Sequence, residues 1–216
     1  MNKNGSAYTL ILLYLLLLGC TTSKQSGDKG WVSLFNGQSL EGWKVGANAN
    51  AFTVKEGAIV VNGNVAHLFY DGPVQQHSFT NFEFKADVMT MPGSNSGIYI
   101  HTTYQESTWP QQGYEVQVNN SHTDWRRTGS LWGVMDIKEV YVKDREWFTE
   151  RIRVEGKKIT VFINDKLVVA YTEPDNVVRE KGMAGRVLSK GTFALQGHDP
   201  NSKVLFKNIM VKVLND

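Results

Sequence analysis

Two short runs carry the groups that could do chemistry. In residues 97–102 (GIYIHT), Tyr99 and His101 fall on one face of an extended strand, with Ile98 and Ile100 on the other. In residues 114–119 (YEVQVN), Glu115, Gln117 and Asn119 share a face opposed by Val116 and Val118. An ordinary outer face would be filled with Lys, Thr and Glu. Tyr, His, Glu, Gln and Asn, flanked in sequence by Trp109, Trp125 and Trp132, read instead as the floor and walls of a polar-ligand site. The competing reading is a plain hydrated surface.

The spacing excludes one chemistry and favours another. Jelly-roll glycosidases of the laminarinase kind place two glutamates on one strand as Glu-x-Asp-x-(x)-Glu, about 5 Å apart for a retaining mechanism. Here Glu115 supplies the first carboxylate, but the next two positions on its face, Gln117 and Asn119, are neutral amides. One carboxylate with histidines suits proton abstraction and donation better. Two of the five histidines lie beside other polar groups at strands or strand ends, in Tyr99-x-His101 and Gln196-Gly197-His198-Asp199. His67 and His77 read as ordinary structural histidines. The candidate catalytic set is therefore His101, Glu115 and His198. Tyr99, Trp109, Gln117, Asn119, Arg126, Trp132 and Gln196 are the expected substrate contacts. No cofactor motif is present, and a divalent metal requires that the fold gather histidines lying far apart in sequence.

Strands must position these groups. From residue 31 onward, short alternating runs are separated by Gly, Asn and Asp turn signals, and no window of eleven residues shows helical periodicity. Residues 82–89 alternate Phe82, Phe84, Ala86 and Val88 with Glu83, Lys85, Asp87 and Met89. Residues 158–171 form a hairpin pattern around Asn164-Asp165. Residues 103–113 read as a long aromatic-bearing loop, and 174–188 as a surface excursion. The pattern predicts a single all-β sandwich domain over residues 30–216. With 41% hydrophobic residues and 20% charged, a packed core is expected. Basic and acidic residues number 23 and 21, for a net charge of +2, and no basic stripe suggests nucleic acid.

The chain contains one cysteine, Cys20, so no intramolecular disulfide can form. A positive start at residues 1–3, an apolar run at 10–18 and Leu17-Leu18-Gly19-Cys20 resemble a bacterial lipobox. Residues 1–19 are then a signal peptide. Cys20 is the lipid anchor, and 20–29 are a polar tether. Acyl chains would hold the protein on a membrane, each buried CH₂ contributing about 0.8 kcal/mol. Without an acidic run after Cys20, the periplasmic side of the outer membrane is expected rather than the cell surface.

An ordered set of blocks resembles the 3-keto-disaccharide hydrolase family. These are Leu34-Phe35-Asn36-Gly37 with Leu40-x-Gly42-Trp43, Asn95-Ser96-Gly97-Ile98, Gly113-Tyr114-Glu115-Val116-Gln117, Thr128-Gly129-Ser130-Leu131 and Phe193-Ala194-Leu195-Gln196-Gly197-His198. The resemblance spans about residues 30–214. It implies a concanavalin-like or laminin-G-like jelly roll. It also implies a 3-keto-glycoside substrate, oxidised at sugar carbon 3 by a partner oxidoreductase and cleaved by β-elimination and hydration. The alternatives are a non-catalytic carbohydrate-binding module on a lipid anchor and, more distantly, a laminin-G-like interaction domain.

Overall fold

The computed structural model describes Met1 and residues 29–215. The expectations for Cys20, the signal peptide and most of the tether fall outside these residues. The described chain forms two stacked antiparallel sheets, the jelly-roll sandwich that the alternation predicts.

The larger sheet contains β1 (Val32–Ser33), β3 (Phe52–Lys55), β4 (Ala58–Asn62), β6 (Phe82–Thr90), β9 (Phe148–Glu155), β10 (Lys158–Ile163), β11 (Lys166–Thr172) and β13 (Lys203–Val213). Its order is β11-β10-β9-β6-β13-β4-β3, with β1 paired to β13. The smaller sheet contains β2 (Trp43–Val45), β5 (Ala66–Tyr70), β7 (Ser96–Thr102), β8 (Tyr114–Val118) and β12 (Thr192–Gly197), in the order β2-β5-β12-β7-β8. Two short 3-10 turns, Ala49–Ala51 and Val74–His77, are the only helical pieces among the described residues.

Alternation along the strands decides what is buried. In β6, Phe82, Phe84, Ala86 and Val88 are fully buried while Glu83, Lys85, Asp87 and Met89 are half-buried on the outer face. Phe193 of β12 enters the same core, its ring centroid 4.7 Å from Phe84, 4.9 Å from Phe82 and 4.6 Å from Phe79. Each such buried phenyl contributes about 1.5–3 kcal/mol. The Asn164-Asp165 turn has positive φ at both residues, 47° and 65°, as a two-residue hairpin between right-twisted strands requires.

The smaller sheet differs because both of its faces are covered. Every residue of β5, β7, β8 and β12 is buried. Leu68, Ile98, Val116 and Leu195 face the inter-sheet core. On the other face lie His67, Tyr99, Glu115, Gln117 and Gln196, beneath the loops. The predicted division of Tyr99, Glu115 and Gln117 from Ile98, Val116 and Val118 is the observed one.

Candidate active site

Register builds the site. Tyr99 pairs with Glu115 and Gly97 with Gln117 across β7 and β8, while Gln196 pairs with His67 across β12 and β5. Leu195 pairs with Ile98, which brings Gln196 alongside Gly97. One cross-strand row therefore reads His67, Gln196, Gly97, Gln117, and the neighbouring row runs from Ala194 through Tyr99 to Glu115. Gly97 leaves a gap in its row, and the Glu115 side chain leans into it. A Cβ at Gly97 would stand 2.8 Å from Glu115 Oε1.

Glu115 is held from three directions. The Tyr99 hydroxyl donates to Oε2 at 2.6 Å, and Gln196 Nε2 donates to Oε1 at 2.9 Å. The Arg186 guanidinium stands 3.9 Å from Oε2. Burial raises the Glu115 carboxyl above its ordinary value, against the pull of Tyr99, Arg186, Gln196 and His198. Tyr99 is pushed well above its usual value by burial and by the Glu115 charge, so its hydroxyl stays a donor. Arg186 is itself buried; Nη1 donates to the Gly113 carbonyl at 3.1 Å, and its plane lies 5.3 Å from the Tyr99 ring centroid.

The cavity over this floor encloses about 440 Å³ and is lined by Asn95, Tyr99, Trp109, Glu115, Gln117, Asp124, Trp132, Arg186, Gln196 and His198, with residues 181–183 at its rim. Trp109 forms one wall, its ring 5.6 Å from His67 and 5.4 Å from His198. Its loop is pinned by Gln105, whose Nε2 donates to the carbonyls of Ser107 and Trp109. Trp132 forms the other wall. Residues 128–132 run along the open edge of β8, with Trp132 N–H donating to the Glu115 carbonyl at 3.0 Å, so the edge is covered and the indole fixed beside the cavity. His67 Nε2, Gln117 Oε1 and Gln196 Oε1 are buried without a hydrogen-bond partner among the described residues, polar capacity that the protein itself leaves unused. A larger depression of about 740 Å³ lies on the outer face of the eight-stranded sheet, where Glu83 is engaged by Arg151 and Arg153, Asp87 by Thr149 and Asn208, and the third carboxylate, Asp165, stands out in solvent.

Three sequence expectations are corrected. His101 does not share the Tyr99 face. The β7–β12 pairing slips between Thr192 and Ala194, and His101 takes a positive φ of 53°, so its ring turns to stand 5.5 Å from Phe82 in the core. Both of its ring nitrogens are occupied: Nε2 donates to the Thr80 carbonyl at 2.9 Å, and Nδ1 accepts from Ser189 N–H at 3.3 Å. Burial lowers its pKa. Asn119 lies one residue past β8 and organises the next turn, donating to the carbonyls of Asp124 and Arg126. Arg126 is bound to Asp124 and Asp136 and sandwiched between Trp125 and Trp132, which places it behind the wall.

The sequence reading missed His67, Arg186, Asn95 and Asp199. His67 lies edge-on to Tyr99 at 5.3 Å, and burial, with the charges of Arg186 and His198, lowers its pKa to about 3, so it is neutral. Its pairing with Gln196 depends on the register between β5 and β12, which no local pattern encodes. Asn95 holds Gln117, its Oδ1 accepting from Nε2 at 3.1 Å.

His122, His198 and Asp199 have ligand atoms within 4.8 Å of one another, a donor set of the kind that binds zinc or manganese. The hydrogen bonding of one of them, His122, does not fit a cation as it stands. His198 Nδ1 donates to Asp199 Oδ2 at 2.7 Å, and His122 Nδ1 accepts from Asp124 N–H at 3.0 Å, which leaves the hydrogen on His122 Nε2. The His198 bond leaves its Nε2 lone pair free, so for a cation to be held by all three it is the His122 bond that would have to be exchanged.

Similarity to known proteins agrees with this architecture. Solved structures with the same fold include a candidate glycosyl hydrolase from Parabacteroides distasonis (TM-score 0.74, 22% identity, covering 89% of this chain and 98% of that one). Others are the carbohydrate-binding module CBM66 from Bacillus subtilis (TM-score 0.55, 12% identity, 79% and 95% covered) and the VIP36 exoplasmic/lumenal domain bound to Ca²⁺ and Man3GlcNAc (TM-score 0.55, 8% identity, 87% and 90%). Among curated proteins nothing matches the sequence. The profile of the 3-keto-alpha-glucoside-1,2-lyase-like domain matches residues 30–212, nearly all of the described chain, and so the protein belongs to that carbohydrate-related family.

Proposed function

We propose that the protein cleaves 3-keto-glycosides by elimination followed by hydration. The observation that carries this reading is the isolation of Glu115: one buried carboxylate, raised by burial and fixed by Tyr99 and Gln196, sharing a cavity with a histidine and an arginine. Asp124, the other carboxylate on the cavity wall, is bound to Arg126. Hydrolysis with two free carboxylates flanking the bond is thus poorly served, whereas proton transfer beside a ketone is well served.

A ketone at carbon 3 acidifies the hydrogen on carbon 2. His198 takes that proton, and the electron pair moves into an enolate whose oxygen is placed against the Arg186 guanidinium. The pair then forms the carbon 1–carbon 2 double bond as the carbon 1–oxygen bond breaks, and Glu115 gives a proton to the departing oxygen. Water adds back at carbon 1 and a proton at carbon 2, so the net change is hydrolysis. Trp109 and Trp132 supply apolar faces for the rings, and Asn95, Gln117 and Gln196 face hydroxyls. The 3-keto substrate would come from a separate oxidoreductase. Anchored through Cys20, the enzyme would work on the periplasmic side of the outer membrane.

The test is a substrate pair in deuterated water. The 3-keto-glucoside should be cleaved with deuterium appearing at carbon 2, and the parent glucoside should be untouched. Comparable cleavage of the parent would refute the elimination route, and binding of both without turnover would identify a carbohydrate-binding module.

A further inference from the structure

Asp199 has no part in the chemistry above, yet its carboxylate is fixed more fully than a turn residue needs. It follows β12 directly after His198. Oδ1 accepts from Asn201 N–H at 2.8 Å, Oδ2 accepts from the Ser202 hydroxyl at 2.7 Å, and the same Oδ2 lies 2.7 Å from His198 Nδ1. Partial burial pushes Asp199 up, but the bonds from Ser202, His198 and Asn201 outweigh it and hold the carboxyl below its ordinary value. An ionised carboxylate only accepts hydrogen bonds, so neutral His198 carries its hydrogen on Nδ1 and its lone pair on Nε2. The ring lines the Glu115 cavity between Trp109 and His122, whose ring centroids lie 5.4 Å away on each side.

We propose that Asp199 is a positioning residue that fixes His198 as the Nδ1–H tautomer and so makes Nε2 the base that removes the carbon 2 proton. The proposal rests on the 3-keto-glycoside reading of the cavity. It gives the His198–Asp199 contact a role in proton handling, since that bond satisfies Nδ1 and leaves the Nε2 lone pair free for the chemistry of the cavity.

Asp199→Asn separates this role from turn stability. The Asn201 backbone N–H cannot rotate, so the amide oxygen must take the Oδ1 position and the amide NH₂ the Oδ2 position. The Ser202 hydroxyl can turn to suit. His198 Nδ1 then faces a donor, and the ring must switch to the Nε2–H tautomer, losing its free lone pair. Three measurements read this in the full protein. Nitrogen-15 NMR of the His198 ring should show Nδ1–H in the wild type and Nε2–H in Asp199→Asn. Turnover of a 3-keto-glucoside should fall about 10²–10⁴-fold in kcat, the range for losing a general base, with KM changed little. The melting temperature should stay near that of the wild type, because the turn keeps its bonds.

An unchanged tautomer with kcat within about threefold of the wild type would reduce Asp199 to a turn residue and overturn the proposal. Activity lost to a chelator and restored by Mn²⁺ or Zn²⁺, with shifts at His122 and His198, would overturn it in favour of a cation site. A wild type that turns over no 3-keto-glucoside defeats the substrate reading and the base assignment with it. An active wild type with an unperturbed Asp199→Asn defeats the inference alone.

Discussion

The Glu115 carboxylate occupies the space that a side chain at residue 97 would fill: a Cβ there would lie 2.8 Å from Oε1 and 2.9 Å from Cγ. Gly97 and Glu115 sit on adjacent strands, and the missing side chain lets the carboxylate reach Gln196 on the far side of β7. Gly97 is not among the glycines with positive φ, so this position asks for room rather than an unusual backbone.

Gly97→Ala should therefore fold but displace Glu115. Overpacking costs about 1–3 kcal/mol of stability. A catalytic group moved by about 1 Å can lose about 10²-fold in rate, so kcat should fall by that order while far-ultraviolet circular dichroism is unchanged. Full activity would show that Glu115 tolerates displacement.

Glu115→Gln keeps the side-chain shape and removes the exchangeable proton. Turnover of a 3-keto-glucoside should drop about 10²–10⁴-fold. Because the change also places an amide against the Tyr99 hydroxyl and Gln196 Nε2, a melting curve should accompany the rate. A fully active variant would remove Glu115 from the reaction.

Trp109→Ala tests the wall. The indole is 42% exposed, so its removal should cost little stability. Its loss should raise KM about fivefold, consistent with the roughly 1 kcal/mol that aromatic contacts contribute beyond buried area. Unchanged affinity would take the loop out of the site.

Glu150 tests the core. It faces inward between Phe148 and Ile152, cross-strand from Ala86 and Ile163, and neither carboxyl oxygen has a hydrogen-bond partner among the described residues. Burial alone pushes its carboxyl well above the ordinary value of 4.5. The folded state thus binds the proton more tightly than the unfolded one. That contribution is complete below about pH 4.5 and is lost as pH rises through the folded value. Glu150→Met should raise stability near neutral pH by about 1–3 kcal/mol, the usual cost of an unsatisfied buried polar group, and flatten the dependence of melting temperature on pH above that point. Equal pH dependence in both proteins would show that Glu150 finds a partner.

The alternation of residues 82–89, the Asn164-Asp165 hairpin and the shared face of Tyr99, Glu115 and Gln117 were all legible in the sequence. They depend on the two-residue period of a strand, which is local. His101 obeys the same period in sequence, but one bulge between Tyr99 and Thr102 turns it into the core, and only pairing with β12 reveals that slip. The match of His67 to Gln196 required register between strands far apart in the chain. Arg186 belongs to a segment without periodicity. It enters the site because the backbone N–H of Gly113 donates to the Gly185 carbonyl and the Gly113 carbonyl accepts from the guanidinium, contacts between loops that no local pattern encodes. The sequence alone determined which strands form and which of their faces is polar, because strand period is short-range. The tertiary structure decided which polar groups meet, because register, bulges and loop return are settled by packing between distant segments.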